Sequence, residues 1–337
     1  MTYKKSKAAS PTRRSVLAGG LAAVGAATLM PRSAFALTDE VIAAAKAEGT
    51  VTFYSVVPET IAQPFVEGFE AKYGIDLDYQ RLTSGAMGQR YAGEADAGAV
   101  VADALAMTDR FFMNDASAKG WLAPVTELDD SADFPEQFRT ENFYMVQLLP
   151  HGLAYNTGQV EGAPDWQSLI DPSMKGRLTL VDPRNGFYTS VFYYALREAF
   201  GEDYLKALAA QEPRLVESAT LGAQQVAAGA SAICAPAYPN LLPTLKEQGA
   251  PIELAMPEPT VASSVLAGIS KDAPHPNAAK VLMSFLLGEE GQALYNSNNT
   301  SPLGELPGTL PLPAITDIDL EAVKAAQPEI FAALGVS

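Results

Sequence analysis

The feature that most constrains the fold is an alternation of short apolar runs with amphipathic segments, which occurs in two parts of the chain. In the first part, residues 50–55 form an apolar run, and a segment with one apolar stripe follows it. That stripe has the four-residue spacing of a helix face and consists of Ile61, Phe65, Phe69 and Tyr73. Runs at 75–79 and 103–107 continue the alternation. Strands that alternate with helices predict an α/β fold with a parallel sheet.

The second part begins with the apolar run Leu178-Thr179-Leu180-Val181. The turn-forming residues 182–186 end this run, and a helical pattern starts near Phe187. A strand, a tight turn and a helix N-terminus together are a common arrangement for holding a small anion. Further strands are predicted at 215–218, 231–235, 252–256 and 265–269. The sequence therefore predicts two α/β units.

Helix starts are predicted from residues that commonly cap helices. Thr38 or Asp39 caps a first helix, Ser84 caps a helix over about 85–97, and Asn277 caps a long helix near the end of the chain. The stretches 145–155 and 258–266 read as strand-like crossovers between the two units. No low-complexity linker separates the units.

The first 36 residues differ from the rest of the chain. They contain six of the 23 Lys and Arg residues and none of the 39 acidic residues. Ser10-Pro11-Thr12-Arg13-Arg14-Ser15-Val16-Leu17 resembles a twin-arginine export motif, and an Ala- and Gly-rich apolar stretch follows it. Ala34-Phe35-Ala36 has the small-x-small pattern of a cleavage site. We expect residues 1–36 to be a signal peptide, cleaved near Ala36, that directs the protein to the periplasm.

Charge and cysteine content restrict the possible partners. After residue 36 the chain has 17 basic and 39 acidic side chains, which argues against binding to nucleic acid or to an anionic membrane surface. Cys234 is the only cysteine of the chain, so no intrachain disulfide can form. It lies in an apolar run, which is typical of a buried structural thiol.

Several stretches, taken in their order, carry a family resemblance that covers nearly the whole chain after residue 36. They are Val51-Thr52-Phe53-Tyr54-Ser55, Leu82-Thr83-Ser84-Gly85, Ala154-Tyr155-Asn156-Thr157, Asp171-Pro172-Ser173-Met174-Lys175-Gly176-Arg177, Val181-Asp182-Pro183-Arg184 and Lys271-Asp272-Ala273-Pro274-His275-Pro276-Asn277-Ala278-Ala279. Together they resemble the extracellular solute-binding proteins of ABC importers, in the branch of the ferric-ion-binding proteins and their relatives for phosphorylated or other organic solutes.

The resemblance implies a two-lobed periplasmic-binding-protein fold of type II, with a hinge and a ligand cleft. Lobe 1 is expected at 37–148 with 262–300, and lobe 2 at 149–261 with 301–337. A solute that contacts both lobes favours the closed form. The closed form would then dock on an ABC permease in the inner membrane. We expect a monomer that needs no cofactor, and a sensory role feeding a receptor stays open as an alternative to transport.

Both lobes are expected to offer helix N-termini to an anionic organic solute. In lobe 2 the resemblance implies that the turn before the helix presents backbone N–H groups, with the basic Arg184 beside them. In lobe 1 the segment 84–87 would supply a matching helix start. Tyr188 and Tyr238 could cover an organic body. The full set of predicted ligand-binding residues is Ser55, Ser84, Gly85, Ala86, Met87, Thr108, Arg184, Asn185, Gly186, Phe187, Tyr188 and Tyr238. Asp109 could instead repel an anion or bind an amine.

Iron(III) binding is the first alternative. The ferric members of the family chelate iron with a His, an acid and an adjacent Tyr pair. Here the first loop, 54–59, contains no His, the acid position reads Gly85 or Ala86, and the Tyr-pair segment contains Tyr238 alone. Tyr193-Tyr194 is a pair, but it lies in the predicted helix and is expected to pack there. We therefore predict no metal site, although Glu59 could still supply an iron ligand.

A hydrolase is the alternative from another class. The sequence contains no Walker loop, HExxH, paired CxxC or GxSxG motif, and the segment around Ser231 lacks the last glycine of a nucleophile elbow. A Ser-His-Asp arrangement would have to use His151 or His275, the two histidines of the chain. We therefore expect a protein that is not an enzyme.

Overall fold

The structure is a computed structural model that describes residues 37–125, 128 and 134–336. The predicted signal peptide lies outside these residues. The described chain is a mixed α/β fold of two lobes, each built on a five-stranded sheet. None of the helices in these ranges is long and apolar enough to cross a membrane.

The first sheet contains the strands of the first lobe. They are β1 (Thr50–Ser55), β2 (Asp76–Arg81), β3 (Ala104–Met107), β4 (Tyr144–Pro150) and β10 (Ala262–Ile269). Their order is β2-β1-β3-β10-β4. β1 runs parallel to β2 and β3, whereas β10 runs antiparallel to both of its neighbours.

The second sheet repeats this plan in the second lobe. Its strands are β5 (Gly152–Asn156), β6 (Leu178–Val181), β7 (Arg214–Val216), β8 (Ile233–Ala237) and β9 (Ile252–Ala255). Their order is β7-β6-β8-β5-β9. β6 runs parallel to β7 and β8, and β5 runs antiparallel to β8 and β9. The predicted parallel arrangement is confirmed for β1 with β2 and β3, and it holds for β6 with β7 and β8. The strands that enter from the other lobe, β10 and β5, run in the opposite direction.

Eleven helices of more than one turn cover the sheets in the described part of the chain. Those of the first lobe are α1 (Asp39–Glu48), α2 (Glu59–Tyr73), α3 (Ser84–Asp96), α4 (Arg110–Ala118), α9 (Pro276–Leu287) and α10 (Glu289–Tyr295). Those of the second lobe are α5 (Phe187–Phe200), α6 (Glu202–Ala210), α7 (Ala219–Ala227), α8 (Leu242–Glu247) and α11 (Leu320–Ala333). α11 packs on α5 and α6, so the end of the chain returns to the second lobe.

The predicted stripe of α2 forms part of the first core. Phe65 and Phe69 are fully buried and contact Phe285 of α9, which joins the two helices over one face of the sheet. In the second lobe, Trp166 and Tyr193 pack on either side of Phe192. The prediction that the Tyr193-Tyr194 pair packs within its helix is confirmed for Tyr193, whose hydroxyl donates to the carbonyl of Val181.

Two predicted helix caps differ from the structure by one or two residues. Thr83, not Ser84, caps α3, and its hydroxyl accepts from the amide of Ala86. At α9 the cap position belongs to His275, and Asn277 lies inside the helix. The first amides of α9 instead donate to the carboxylate of Glu48 at the end of α1. A carboxylate from another element provides the cap, so the local sequence could not reveal it.

The chain passes between the lobes at the two predicted crossovers and a third time between α10 and α11. β4 leads to β5 through His151 alone, and β9 leads to β10 through residues 256–261. The second crossing is held by Trp166, whose indole N–H donates to the carbonyls of Pro257 and Pro259. The exact division of the chain at 148/149, 261/262 and 300/301 stays a prediction.

Candidate functional site

A cavity of about 590 Å³ opens between the two lobes, next to the crossovers. This volume lies in the range of small-molecule sites. We call it the cleft cavity. It is lined by Thr108, Asp109, Arg110, Phe111, Leu149, Val181, Asn185, Gly186, Phe187, Tyr188, Thr189, Glu217, Ser218, Ala219, Thr220, Tyr238, Ser263, Lys324 and Gln327. Six of the residues predicted from the sequence are among them: Thr108, Asn185, Gly186, Phe187, Tyr188 and Tyr238.

The start of α5 forms one wall of the cleft cavity. Asp182 ends β6 and accepts a hydrogen bond from the amide of Arg184, which closes one short helical turn before Gly186. Gly186 then enters α5 in an extended conformation. Among the described residues, the amides of Gly186, Phe187 and Tyr188 have no hydrogen-bond acceptor. Such amides, at the positive end of the helix dipole, favour an anion.

The start of α7 forms the neighbouring part of the same wall. Ser218 caps this helix by accepting from the amide of Leu221, and Ala219 and Thr220 line the cavity beside it. Two helix N-termini of the second lobe therefore face one space. Glu217, which precedes the cap, adds a negative charge at the exposed rim.

The wall from the first lobe is the corner between β3 and α4. The hydroxyls of Ser84 and Thr108 lie 2.8 Å apart, and the amide of Thr108 donates to the Ser84 hydroxyl. Asp109 caps α4 by accepting from the amide of Phe112. One oxygen of the Asp109 carboxylate is thereby engaged, so Asp109 has a structural role in addition to lining the cavity.

Two cations reach the cleft cavity from opposite lobes. Arg110 belongs to α4 of the first lobe, and Lys324 belongs to α11 of the second. The ammonium of Lys324 lies 4.9 Å from the ring centre of Phe111 across the cleft. Within the described ranges neither side chain forms an ion pair. Both are therefore available to a negatively charged guest.

Aromatic side chains complete the cavity. Phe111 and Phe187 meet edge to face from the two lobes, with ring centres 5.0 Å apart. The hydroxyl of Tyr188 lies 3.3 Å from Ser264 Oγ, and burial raises its pKa. Burial also raises the pKa of Tyr238 to about 12. Both tyrosines are therefore neutral phenols near neutral pH.

A buried histidine lies directly behind this wall. His151 is fully buried, and its Nε2 lies 2.8 Å from the hydroxyl of Ser263, which lines the cavity. Its ring packs against Tyr238, and burial lowers its pKa to about 3. The imidazole is therefore neutral at physiological pH.

Several predicted residues do not line the cleft cavity. Ser55 is fully buried and bonds the hydroxyl of Tyr295 in the first core. Met87 is buried in the same lobe, whereas Gly85 and Ala86 are exposed, and none of the three lines the cavity. Ser84 reaches it through its contact with Thr108.

Arg184 also lies off the cavity. Its guanidinium donates to both carboxylate oxygens of Asp182, and this pairing holds the pKa of that carboxyl below its usual range. The role of Arg184 in solute binding stays a prediction, and Arg110 and Lys324 are better placed for it.

Sequence reasoning missed the residues that come from distant parts of the chain. Lys324 and Gln327 lie on α11, and Ser263 lies at the start of β10. No local signal marks them, because their positions depend on how the end of the chain returns to the cleft. Ser218 and Thr220 could have been found, since Ser218 follows an apolar strand and has the form of a helix cap.

The described residues do not form the complete side-chain arrangement that a hydrolase or a metal site of His, Cys, Asp and Glu would require. His275 contacts Asp103 and His151 contacts Ser263, while the Ser231 hydroxyl lies 2.5 Å from that of Thr179. Ser231 thus makes no contact with a histidine. In the described part of the chain no group of three or more His, Cys, Asp or Glu side chains could hold a metal ion. Cys234 is buried, and its pKa is raised to about 12, as expected for a structural thiol.

The fold and the cleft define a two-lobed binding protein, and comparison with known proteins specifies its family. The family model of the bacterial extracellular solute-binding proteins matches residues 100–317. The chain belongs to this family. An uncharacterized protein of Haemophilus influenzae is 26% identical over 270 residues, which is 74% of this chain and 76% of that protein.

Solved structures of periplasmic binding proteins share the fold. The substrate-binding protein of an ABC transporter from Agrobacterium tumefaciens is similar with a TM-score of 0.70 and 19% identity, over 85% of this chain and 94% of that one. Iron-bound HitA from Pseudomonas aeruginosa gives a TM-score of 0.67 and 20% identity, over 84% and 99% of the two chains. AfuA from Actinobacillus pleuropneumoniae, with fructose-6-phosphate bound, gives 0.67 and 22%, over 86% and 99%.

Proposed function

We propose that the protein is the periplasmic binding component of an ABC importer, and that it captures a small anionic organic solute in the cleft cavity. One observation carries the anionic part of the proposal. The N-termini of α5 and α7 and the unpaired cations Arg110 and Lys324 all face the same space. Backbone amides and cations that converge in this way stabilise a negative head group.

The two-lobed arrangement supports capture followed by delivery. Arg110 comes from the first lobe, whereas Lys324 and the amides of α5 come from the second. An anion that contacts all of them interacts more strongly with the closed form than with the open form. This difference in affinity drives closure. The closed protein would then deliver the solute to a permease in the inner membrane.

A screen of charged and neutral solutes tests the proposal. Sugar phosphates, phosphonates, sulfonates and carboxylates would be compared with their neutral counterparts by thermal shift and calorimetry on the mature protein. We expect at least one class of anion to raise the melting temperature by several degrees and its neutral counterpart to leave it unchanged. The double variant Arg110→Ala, Lys324→Ala should lose this response. A response confined to neutral or cationic solutes would refute the anionic part.

Iron(III) is the second candidate, because four carboxylate or phenol side chains line the cavity: Asp109, Glu217, Tyr188 and Tyr238. Hard ferric ion prefers such ligands. The raised pKa values of both tyrosines oppose it, since iron would have to displace their protons from buried sites. We expect no visible tyrosinate-to-iron absorption band after ferric citrate is added. A strong band that disappears in Tyr238→Phe would favour iron.

We further propose that the solute leaves unchanged, so that the protein acts as a carrier and not as an enzyme. Ser231 has no histidine beside it, and the imidazole of His151 has no carboxylate partner at Nδ1. Recovery of the bound solute after denaturation, analysed by mass spectrometry, would show whether it is chemically intact. A converted product would contradict the proposal.

Export and assembly complete the proposed function. Cleavage near Ala36 after twin-arginine export would release a monomer that binds no nucleic acid. N-terminal sequencing of the periplasmic protein gives the cleavage site. Replacement of Arg13 and Arg14 by Lys should retain the precursor in the cytoplasm if export uses the twin-arginine pathway. Light scattering on the mature protein would test the monomer.

A further inference from the structure

A second cavity, of about 520 Å³, lies on the other side of Tyr188 from the cleft cavity. It is bounded by β4, α5, the start of β10 and the chain segment 312–320. Among the residues that line the two cavities, Arg110 and Tyr188 are common to both. The second cavity is therefore a neighbouring chamber of the same cleft, and we call it the side chamber.

The side chamber differs in chemistry from the cleft cavity. Most of its lining is apolar and includes Met145, Leu148, Val191, Val261, Leu312 and Ile315. Among the described residues of its lining, Arg110 is the one cation and lies at the boundary with the cleft cavity, and Asp317 is the one acid and is exposed. The start of α5, with its amides, faces the cleft cavity, whereas Val191 lies one turn further along the helix. The side chamber therefore suits a hydrocarbon group and not a second charged head group.

Arg110 and Tyr188 lie at the boundary between the chambers, and the Tyr188 side chain makes one polar contact there. The Tyr188 hydroxyl and Ser264 Oγ are 3.3 Å apart, which is long for a hydrogen bond between hydroxyls. Such a contact contributes little to stability, so it does little to hold the Tyr188 side chain between the two spaces. Tyr188 presents its ring to both chambers and can cover an apolar group as it leaves the cleft cavity.

We propose that the side chamber binds the apolar arm of an amphiphilic anion whose head group lies in the cleft cavity. This inference rests on the proposed function, because the cleft cavity must hold the charged end. It specifies the solute class further: an organic anion with a hydrocarbon or aromatic extension is preferred over a compact anion such as inorganic phosphate.

Alkylphosphonates of increasing chain length test the inference by calorimetry on the mature protein. From methyl to hexyl, we expect the affinity to rise two- to fourfold for each methylene that enters the chamber. Two variants fill the chamber, Ala262→Phe at the half-buried start of β10 and Ala314→Trp at an exposed position. Both should bind methylphosphonate within twofold of the wild type and lose the dependence on chain length. Ala325→Trp, at an exposed position of α11 outside both chambers, is the matched control and should keep that dependence.

A neutral probe separates failure of this inference from failure of the proposed function. N-phenyl-1-naphthylamine becomes fluorescent in apolar sites and carries no charge. We expect the wild type and Ala325→Trp to bind it, and Ala314→Trp to bind it at least fivefold more weakly. Equal binding by all three proteins, or no binding, would overturn the side chamber as a site. Absence of binding by every member of the phosphonate series, with intact probe binding, would refute the anionic head group alone. A chain-length series without any gain would overturn the inference even if methylphosphonate binds.

Discussion

Arg110 and Lys324 face each other across the cleft cavity, although more than 200 positions separate them in the sequence. Neither could be identified from its neighbours, because the first lies at a helix start and the second on an exposed helix face. Arg184, in contrast, stands in a conspicuous turn but is held by Asp182. Arg184 is close in sequence to the start of α5 but does not line the cavity, whereas Arg110 and Lys324 do. A position on the cavity wall is the stronger evidence for a contact with the solute.

Replacement of Lys324 by Ala should weaken binding of the best anion from the screen by about tenfold. A charge-assisted hydrogen bond contributes roughly 1.5–3 kcal/mol, and exposure of the side chain reduces this value. Calorimetry measures the change. Lys271→Ala, an exposed cation elsewhere, is the control and should stay within twofold. Arg184→Ala tests the remaining sequence prediction: a loss of about tenfold or more would support a ligand contact of Arg184, whereas unchanged affinity would remove Arg184 from the site.

His151 should make stability depend on pH. Burial lowers its pKa to about 3, whereas the pKa of the unfolded state is near 6.5. Between these values the unfolded chain binds a proton that the folded protein does not, so stability falls as pH falls. We expect this residue to contribute a slope of up to about 1.4 kcal/mol per pH unit between pH 6 and 4.

Urea unfolding of the wild type and His151→Gln at several pH values measures this slope. The carboxylates titrate in both proteins, so the difference between the two slopes isolates the histidine. The variant should be less stable at pH 7, because the substitution changes the contact with Ser263. Below pH 6 its free energy of unfolding should depend less steeply on pH than that of the wild type. Parallel curves would show that His151 does not titrate as described.

Asp103 joins three elements of the first lobe at a fully buried carboxylate. One oxygen accepts from the amide of Thr52 in β1, and the other accepts from the amide of His275 before α9. Nδ1 of His275 lies 2.9 Å from the same carboxylate. A single side chain thus fixes the start of α9 against the central strands.

Asp103→Ala should lower the free energy of unfolding by about 3 kcal/mol, since it leaves buried donors without an acceptor. Urea denaturation followed by circular dichroism measures this loss. The matched control is Asp115→Ala, because Asp115 pairs with Lys119 on the exposed face of α4 and should contribute less than about 1 kcal/mol. Similar losses in the two variants would show that the buried hydrogen bonds of Asp103 stabilise the fold no more than an exposed ion pair does.

At the level of elements, the sequence predicts most of the fold. The four-residue stripe of α2, the apolar run of β6 and the helix start at Phe187 all occur where local patterns place them. The antiparallel direction of β10 could not be predicted in this way, because it depends on the path of the chain between lobes. The cap of α9 by Glu48 could not be predicted either, because it depends on the packing of α1 against α9. Local chemistry thus predicts elements, whereas chain connectivity determines which of them meet at the cleft.

At the scale of the whole molecule, side chains of the two lobes contact each other beside the cavity. Phe111 of α4 meets Phe187 of α5 edge to face, and the ammonium of Lys324 lies 4.9 Å from the centre of the Phe111 ring. Because the two partners of each contact belong to different lobes, opening of the cleft would separate them. They therefore stabilise the closed form even without a solute. Their strength determines how much binding energy a solute must supply to shift the equilibrium from the open to the closed form.

Phe111→Ala should consequently shift the unliganded protein toward the open form. An aromatic pair contributes roughly 0.5–1.5 kcal/mol, so the ratio of closed to open molecules should fall by about two- to tenfold. Small-angle X-ray scattering should detect a larger radius of gyration, and calorimetry a loss of anion affinity by a similar factor, because the binding-competent form is rarer. Phe187→Tyr keeps the ring contact and should leave the scattering unchanged. If Phe111→Ala lowers affinity without changing the scattering, the ring acts on the solute directly and the contact between lobes does not control closure.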